Sequence, residues 1–202
     1  MLHVIDIAYF ELRYDGAKNA LVDLSKYPET TCLAGSFTKT ISPGAKCGFG
    51  IFPEKMVEAL NPVIANTRLN PNYPTQAATH KIIDSGFYDK HLEFLIGLYR
   101  PRMEAMNNAF KKYLPEIEVA ELTGGFFLGL SLPGVLDEAG YIARAGEKGV
   151  VLSEPTAFTP GWKEKYYAKT GGIFFRLTFP AFTPEENDAG IARIAEAYKE
   201  ML

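Results

Sequence analysis

The chain contains few of the residues that mark secreted, metal-binding or membrane proteins. Only two of its 202 residues are cysteine, so no disulfide framework is available and a reducing cytoplasm is the expected location. The three histidines lie far apart without the spacing of metal ligands, and no metal site is expected. No apolar run approaches the roughly 18 residues that a membrane-spanning helix needs. The first residues also lack the basic head and cleavage site of a signal peptide.

The chain also lacks a large excess of either sign of charge, which argues against further classes of partner. The chain has 24 acidic and 21 basic residues, a formal net charge of −3, and no long run of lysine and arginine. This balance argues against a nucleic-acid or membrane surface. The hydrophobic content of 47% provides a sizeable core, and the length allows one large or two small domains.

Short apolar runs separated by turn residues predict an α/β fold. In the first half, strands are predicted at residues 4–7, 31–33 and 47–52, and helices at residues 54–61, 76–85 and 88–113. The first strand has the continuous apolar character of a buried parallel strand, although no earlier element is there to cover it. The last helix has apolar residues at three- and four-residue steps and is expected to bend at Pro101.

The second half alternates between strands and helices. Strands are predicted at residues 116–120, 126–132, 150–152 and 172–179, and helices at residues 135–148 and 184–202. Gly149 is expected to stop the first helix, and Thr183 with Glu186 predicts a capping box at the start of the second. This order predicts a small α/β unit of its own. The boundary is placed near the middle of the long helix, giving domains of residues 1–100 and 101–202.

Residues 31–53 form the stretch on which the chemical interpretation is built. Two predicted strands flank a loop that presents Lys39, several hydroxyl groups and a second amine at Lys46. A partly desolvated lysine between Phe37 and Ile41 has the surroundings of a nucleophilic amine. A single loop lysine is more often simply solvated, so the assignment depends on the features around it.

Asp6 and Tyr9 lie at the end of the first predicted strand. Open α/β sheets bind ligands at this end of their strands. The spacing of the two residues lets a carboxylate and a phenol project into the same crevice. Alone this signal is weak, and it becomes specific in combination with the lysine-containing loop.

The sequence contains four ordered motifs: Asp6-Ile-Ala-Tyr9, Ser36-Phe-Thr-Lys39, Ser42-Pro-Gly-Ala-Lys46-Cys-Gly48 and Phe175-Arg176-Leu-Thr-Phe179. Together they resemble the signatures of fold-type I, class I/II pyridoxal-phosphate aminotransferases. The pattern is most similar to the aminoadipate/kynurenine-type and MocR-like branch. The resemblance runs through the whole chain but covers only the C-terminal half of such proteins. It implies the C-terminal part of the large cofactor-binding domain, with an incomplete, mainly parallel sheet, followed by the small α/β C-terminal domain.

The resemblance implies a role for each matched residue. Lys39 would carry pyridoxal 5′-phosphate as a Schiff base and then shuttle a proton. Asp6 would keep the pyridine nitrogen protonated, and Tyr9 would hydrogen-bond the phenolic oxygen of the ring. Ser36 and Lys46 would bind the cofactor phosphate.

Arg176 matches the arginine that pairs with the substrate α-carboxylate, a role that suits a planar guanidinium. Taken alone, an arginine between apolar residues is more simply an edge-strand charge facing water. Three aromatic residues nearby line either a substrate pocket or a surface loop: Trp162, Tyr166 and Tyr167.

Two departures from the family pattern affect cofactor binding. Position 46 is lysine where the family usually has arginine, and a point charge anchors a phosphate less firmly than a guanidinium fork. The family's N-terminal half, which supplies a helix N-terminus for the phosphate, has no counterpart in this sequence. From the sequence we therefore expect a truncated gene product or shortened chain with poor or no activity alone.

Three functional hypotheses follow. The leading one is the C-terminal portion of an aminotransferase that moves an amino group from an α-amino acid to a 2-oxo acid. It would act as a cytoplasmic homodimer without nucleic-acid or membrane partners. The second is the effector-binding half of a MocR-like transcriptional regulator, which binds the cofactor but need not transaminate. The third is an α/β domain without a ligand, in which Lys39 is inert.

Overall fold

The computed structural model describes residues 1–17, 26–68, 72–155, 161 and 163–202. Within these ranges the chain forms five strands and six helices. It divides into two compact units, Met1–Gly97 and Leu98–Leu202. The prediction of an α/β fold is confirmed. No helix within the described ranges is both long and apolar enough to cross a membrane.

The first unit contains a three-stranded sheet with strand order β1-β2-β3. Its strands are β1 (His3–Asp6), β2 (Thr31–Ser36) and β3 (Gly48–Ile51). β1 is parallel to β2, and β3 is antiparallel to β2. The start of β2 is buried. In contrast, the exposed fraction is 68% for Val4 in β1, and 43% for Phe49 and 49% for Ile51 in β3. The prediction of a buried first strand is therefore wrong for this chain, because β1 is an edge strand in which Val4 is exposed and Ile5 only partly buried.

Three helices follow the sheet: α1 (Glu54–Arg68), α2 (Tyr73–Asp84) and α3 (Phe87–Tyr113). The predicted end of α1 near Asn61 is wrong, since the helix continues through Pro62. Proline has no backbone N–H, so the carbonyl of Glu58, four residues earlier, loses its helical hydrogen bond. Glu58 is exposed, and its carbonyl can bond water instead. The carbonyl of Pro62 is itself bonded by Asn66 Nδ2 at 2.8 Å.

The second unit contains a two-stranded antiparallel sheet and three further helices. They are β4 (Phe127–Pro133), β5 (Gly172–Thr178), α4 (Glu138–Glu147), α5 (Lys163–Thr170) and α6 (Pro184–Glu200). Alternate residues of both strands are buried, and Tyr141 of α4 packs against Phe175 with ring centroids 5.4 Å apart. The strands approach so closely that a β-carbon at position 172 would lie 1.9 Å from the Leu132 carbonyl oxygen. Only glycine fits there.

The helix boundaries of the second unit follow local capping rules. Thr183 and Glu186 form the predicted capping box, and Gly149 adopts the left-handed φ of +80° beyond the end of α4. α4 begins three residues later than predicted because the Asp137 side chain accepts the Gly140 N–H at 2.9 Å and caps the helix there.

Two predicted strands in this unit were wrong, and one helix was missed. Residues 116–120 and 150–152 are not strands, and α5 was not predicted. Val151 is 97% exposed, so its apolar run is not part of a buried ladder. α5 has the sequence KEKYYAKT, which is too polar to show a helical apolar stripe, yet its Tyr166 packs on Phe174 of β5 at a centroid distance of 5.3 Å.

Asn107 of α3 provides a first testable prediction about stability. Its side-chain oxygen accepts the Leu122 N–H at 3.0 Å, and its Nδ2 donates to the Leu122 carbonyl at 3.0 Å. Because Leu122 is buried, Asn107→Ala leaves two backbone groups without partners. We expect the free energy of unfolding, measured in urea, to fall by about 1–3 kcal/mol.

Asn108→Ala is the matched control, since this exposed neighbour gains the same helix propensity without losing those bonds. Equal unfolding free energies for the two variants would contradict the assigned role of Asn107.

Candidate functional site

The carboxyl ends of β1 and β2 lie side by side in the first unit. Asp6 pairs with Ala34, and the Ile7 N–H donates to the Ala34 carbonyl at 2.8 Å. Alternate residues of a strand share a face, so Ser36 extends from the same side of the sheet as Ala34 and Asp6. Asp6 is exposed, and its Oδ1 accepts the Ala8 N–H at 2.9 Å. The arrangement fixes one carboxylate and one hydroxyl at the same sheet end.

Lys39 and Tyr9 lie in the two turns that follow these strands. Residues 37–41 form a single helical turn, closed by the Ile41 N–H donating to the Phe37 carbonyl at 2.8 Å. The half-buried Lys39 side chain places its Nζ 5.6 Å from the centroid of the Tyr9 ring. The structure therefore brings together an amine and a phenol from separate parts of the sequence.

Ser36 and Lys46 flank the Lys39 turn in the chain. The Ser36 hydroxyl oxygen accepts the Thr38 N–H at 3.2 Å, which fixes its position and leaves its proton for another acceptor. The Phe37 N–H donates to the Cys47 carbonyl at 2.9 Å and joins this turn to the segment that carries Lys46. Lys46 is exposed and has a left-handed φ of +49°, which is unfavourable for a residue with a β-carbon.

Behind the Lys39 turn lies a polar cluster that sequence reasoning missed. Thr40 is buried, and its Oγ1 lies 2.8 Å from the hydroxyl oxygen of Tyr88 on α3. Tyr88 also hydrogen-bonds the Glu11 carboxylate. Burial, reinforced by this bond, raises the pKa of Tyr88 well above its ordinary value. Tyr88 is separated from Thr40 by 48 residues and from Glu11 by 77, so no local pattern predicts these contacts.

Arg176 lies in the second unit, opposite Gly129 in the β4–β5 ladder. Its guanidinium carbon is 4.0 Å from the centroid of the Phe127 ring, a cation–π contact that orients the charged group. Arg176 is exposed and lines a cavity of about 520 Å³ together with Thr178, Asn187 and Arg193. The arrangement presents a cation next to space that a small acid could occupy.

The three aromatic residues considered for a substrate pocket fall into two groups. Trp162 lies outside the described residues. The Tyr166 hydroxyl is 3.0 Å from Ser131 Oγ, and the Tyr167 hydroxyl donates to Glu138 at 2.7 Å. Both tyrosines thus bond to side chains of their own unit.

Solved aminotransferases share this fold. The kynurenine aminotransferase of Pyrococcus horikoshii, solved in complex with PMP, superposes with a TM-score of 0.87 at 27% identity and covers 100% of this chain and 48% of that one. LysN, the α-aminoadipate aminotransferase of Thermus thermophilus, was solved with N-(5′-phosphopyridoxyl)-L-leucine. It gives a TM-score of 0.80 at 26% identity and covers 100% of this chain and 51% of that one.

Residues 1–194 match the sequence profile of the family "Aminotransferase class I and II", and the chain belongs to this family. It is 29% identical to aromatic-amino-acid aminotransferase 1 of Thermococcus litoralis, over 98% of this chain and 46% of the relative. It is 30% identical to the 2-aminoadipate transaminase of Thermus thermophilus, over 98% of this chain and 49% of that relative. The HTH-type transcriptional regulator TauR of Rhodobacter capsulatus is 27% identical over 82% of this chain and 33% of the regulator. The chain spans about half the length of the two enzymes.

The resemblance stated from the four motifs is confirmed, and the α/β content with its small sheets fits the C-terminal part of the fold. The family and the two cofactor complexes indicate pyridoxal phosphate as the cofactor. The groups at the β1–β2 end suit it chemically. They comprise an amine for an aldehyde carbon, a carboxylate for a pyridine nitrogen, a phenol for a ring oxygen and a hydroxyl for a phosphate.

Proposed function

We propose that the chain carries the lysine-bearing part of a pyridoxal-phosphate-dependent aminotransferase, which moves an amino group from an α-amino acid to a 2-oxo acid. The observation that carries the proposal is the 5.6 Å approach of the Lys39 amine to the Tyr9 ring, at the sheet end that also holds Asp6. Class I and II aminotransferases are among the relatives that match over nearly the whole chain.

Three side chains of the first unit would hold and tune the cofactor ring. Lys39 would hold it covalently through Nζ, and, once released, the same nitrogen would take a proton from the amino acid Cα and deliver it to the cofactor carbon C4′. The Asp6 carboxylate would hold a proton at the pyridine nitrogen, and the Tyr9 hydroxyl would donate to the ring oxygen. When bound, the cofactor supplies an electron-accepting ring that stabilises the negative charge left at Cα.

Ser36 and Lys46 are the proposed phosphate ligands. The Ser36 hydroxyl is held by the Thr38 N–H with its proton available to a phosphate oxygen. Lys46 would contribute a point charge without the two-pronged geometry of an arginine. A phosphate held by these two groups is anchored less firmly than one held by a guanidinium.

Arg176 is the proposed ligand of the substrate α-carboxylate. Its guanidinium is oriented by the Phe127 ring and faces a cavity large enough for a small amino acid. A planar guanidinium binds a carboxylate through two parallel hydrogen bonds, which fixes the direction of the substrate as well as its charge.

We further propose that the functional form is a cytoplasmic homodimer that acts in amino-acid metabolism, and that this chain alone has poor or no activity. The apolar side chains exposed on β1 and β3 support association, because Val4, Phe49 and Ile51 would otherwise remain in contact with water.

A second candidate function is the effector-binding domain of a MocR-like transcriptional regulator. The similarity to TauR over 82% of this chain favours it. In that case the same groups would bind the cofactor and an amino acid, but no 2-oxo acid would be released.

The proposal predicts that the purified chain binds pyridoxal phosphate covalently. Titration is expected to produce a visible absorption band, and borohydride reduction should fix the cofactor to the peptide that contains Lys39. A folded chain that yields neither result contradicts both cofactor-dependent functions. Adding a panel of amino acids then tests for the enzyme, because release of a 2-oxo acid, even slowly, is expected of an aminotransferase and not of the regulator domain.

A further inference from the structure

The Tyr88 hydroxyl connects the two turns that carry the Lys39 amine and the Tyr9 ring. It contacts Thr40, the residue after Lys39, with an oxygen–oxygen distance of 2.8 Å. It also hydrogen-bonds Glu11, which lies two residues after Tyr9. A phenol has one proton, so Tyr88 donates it to the carboxylate and accepts the proton of the Thr40 hydroxyl. The chain of bonds therefore runs from one turn to the other through a single side chain of α3.

The ring of Tyr88 adds a second contact to the Lys39 turn. Phe37, two residues before Lys39, meets the Tyr88 ring edge to face, with centroids 6.0 Å apart and an interplanar angle of 79°. Phe37 also packs on Phe49 of β3 at a centroid distance of 5.6 Å. Lys39 is thus held on both sides, by a buried hydroxyl at position 40 and by an aromatic contact at position 37.

The Glu11 side of the cluster holds the Tyr9 turn in the same way. The Leu12 N–H donates to the Tyr9 carbonyl at 3.0 Å, which closes the turn around Glu11, and the Leu12 side chain is fully buried. A carboxylate fixed by a buried phenol restricts this turn more than a solvated glutamate would, because hydrogen bonds to ionised groups are the stronger ones.

We propose that Tyr88 is a positioning residue that sets the separation between the Lys39 amine and the Tyr9 ring, an inference that rests on the proposed function. Tyr88 acts through Thr40 and Glu11 and does not itself touch the reacting atoms. Loss of its hydroxyl leaves the Lys39 side chain present but less well placed, and a small misplacement of a reacting group lowers a rate substantially.

The test compares Tyr88→Phe with the exposed control Tyr73→Phe, which also loses one phenol hydroxyl. Tyr88→Phe is expected to slow covalent cofactor attachment about tenfold, and the control to leave it unchanged. Thr40→Val should reproduce the defect, and Thr40→Ser, which keeps a hydroxyl, should restore most of the rate. Equal attachment rates in all four variants would overturn the proposal.

A second readout works without the cofactor. The acylation rate of Lys39 at one fixed pH is measured by peptide mapping, at conditions where circular dichroism shows each variant folded. A positioning role predicts a changed rate for Tyr88→Phe and an unchanged one for Tyr73→Phe, whereas a role in stability alone leaves both rates unchanged and overturns the proposal. Failure of the unsubstituted chain to attach the cofactor would instead count against the proposed function. Should Tyr88→Phe not fold, Thr40→Val and the exposed-site variant Glu11→Ala decide by the same rates.

Discussion

Lys39→Ala is expected to abolish covalent attachment of pyridoxal phosphate. The Lys39 amine is the one lysine nitrogen that the described residues place over the Tyr9 ring, and alanine has no group that can condense with an aldehyde. The visible band should disappear, and borohydride should fix no cofactor to this peptide. Because Lys39 is half-buried in a surface turn, the free energy of unfolding should change by less than about 1 kcal/mol.

The matched control for this experiment is Lys55→Ala, an exposed lysine near the start of α1 in the same unit. It should keep the full band and the full mass shift on the Lys39 peptide. A band that survives in Lys39→Ala but is lost in another lysine variant would show that the cofactor amine had been assigned to the wrong residue.

Asp6→Asn is expected to weaken cofactor binding by about ten- to a hundredfold. The asparagine side chain retains an oxygen for the Ala8 N–H, so the turn after β1 stays in place. The substitution removes the negative charge that would hold a proton on the pyridine nitrogen, and hydrogen bonds to charged groups contribute about 1.5–3 kcal/mol. Equilibrium titration followed by absorption gives the two dissociation constants.

Asp84→Asn, at the exposed end of α2, removes one negative charge from the same unit and serves as the control. It should bind the cofactor as the unsubstituted chain does. If both variants bind equally well, Asp6 does not face the pyridine nitrogen and the proposed orientation of the ring is wrong.

Local signals in the sequence predicted much of the fold. The capping box at Thr183, the stop at Gly149 and the amphipathic pattern of α3 depend on residues within a few positions of one another. The strand predicted at residues 150–152 failed because an apolar run forms a strand only where a partner ladder is available. α5 was missed because its helix is stabilised by packing on β5, to which its own composition gives no clue.

The candidate site divides in the same way between local and distant information. The motifs around Asp6 and Lys39 could be recognised because each is contiguous, and the matching family profile supports their order. The cluster around Tyr88 could not, since its partners are 48 and 77 residues away. Lys46 illustrates an intermediate case. The motif that contains it was recognised, but not that a lysine would occupy a strained left-handed position.

The parallel register of β1 on β2 has a consequence for how this sequence can vary over evolutionary time. His3 is aligned with Thr31, and the alignment continues to Asp6 and Ala34. Exchanging Val4 or Ile5 for another aliphatic residue leaves that alignment intact. Gaining or losing one codon within the strand would turn every following side chain, including the Asp6 carboxylate, to the opposite face of the sheet. Homologous genes should therefore tolerate substitutions within this strand but not insertions or deletions.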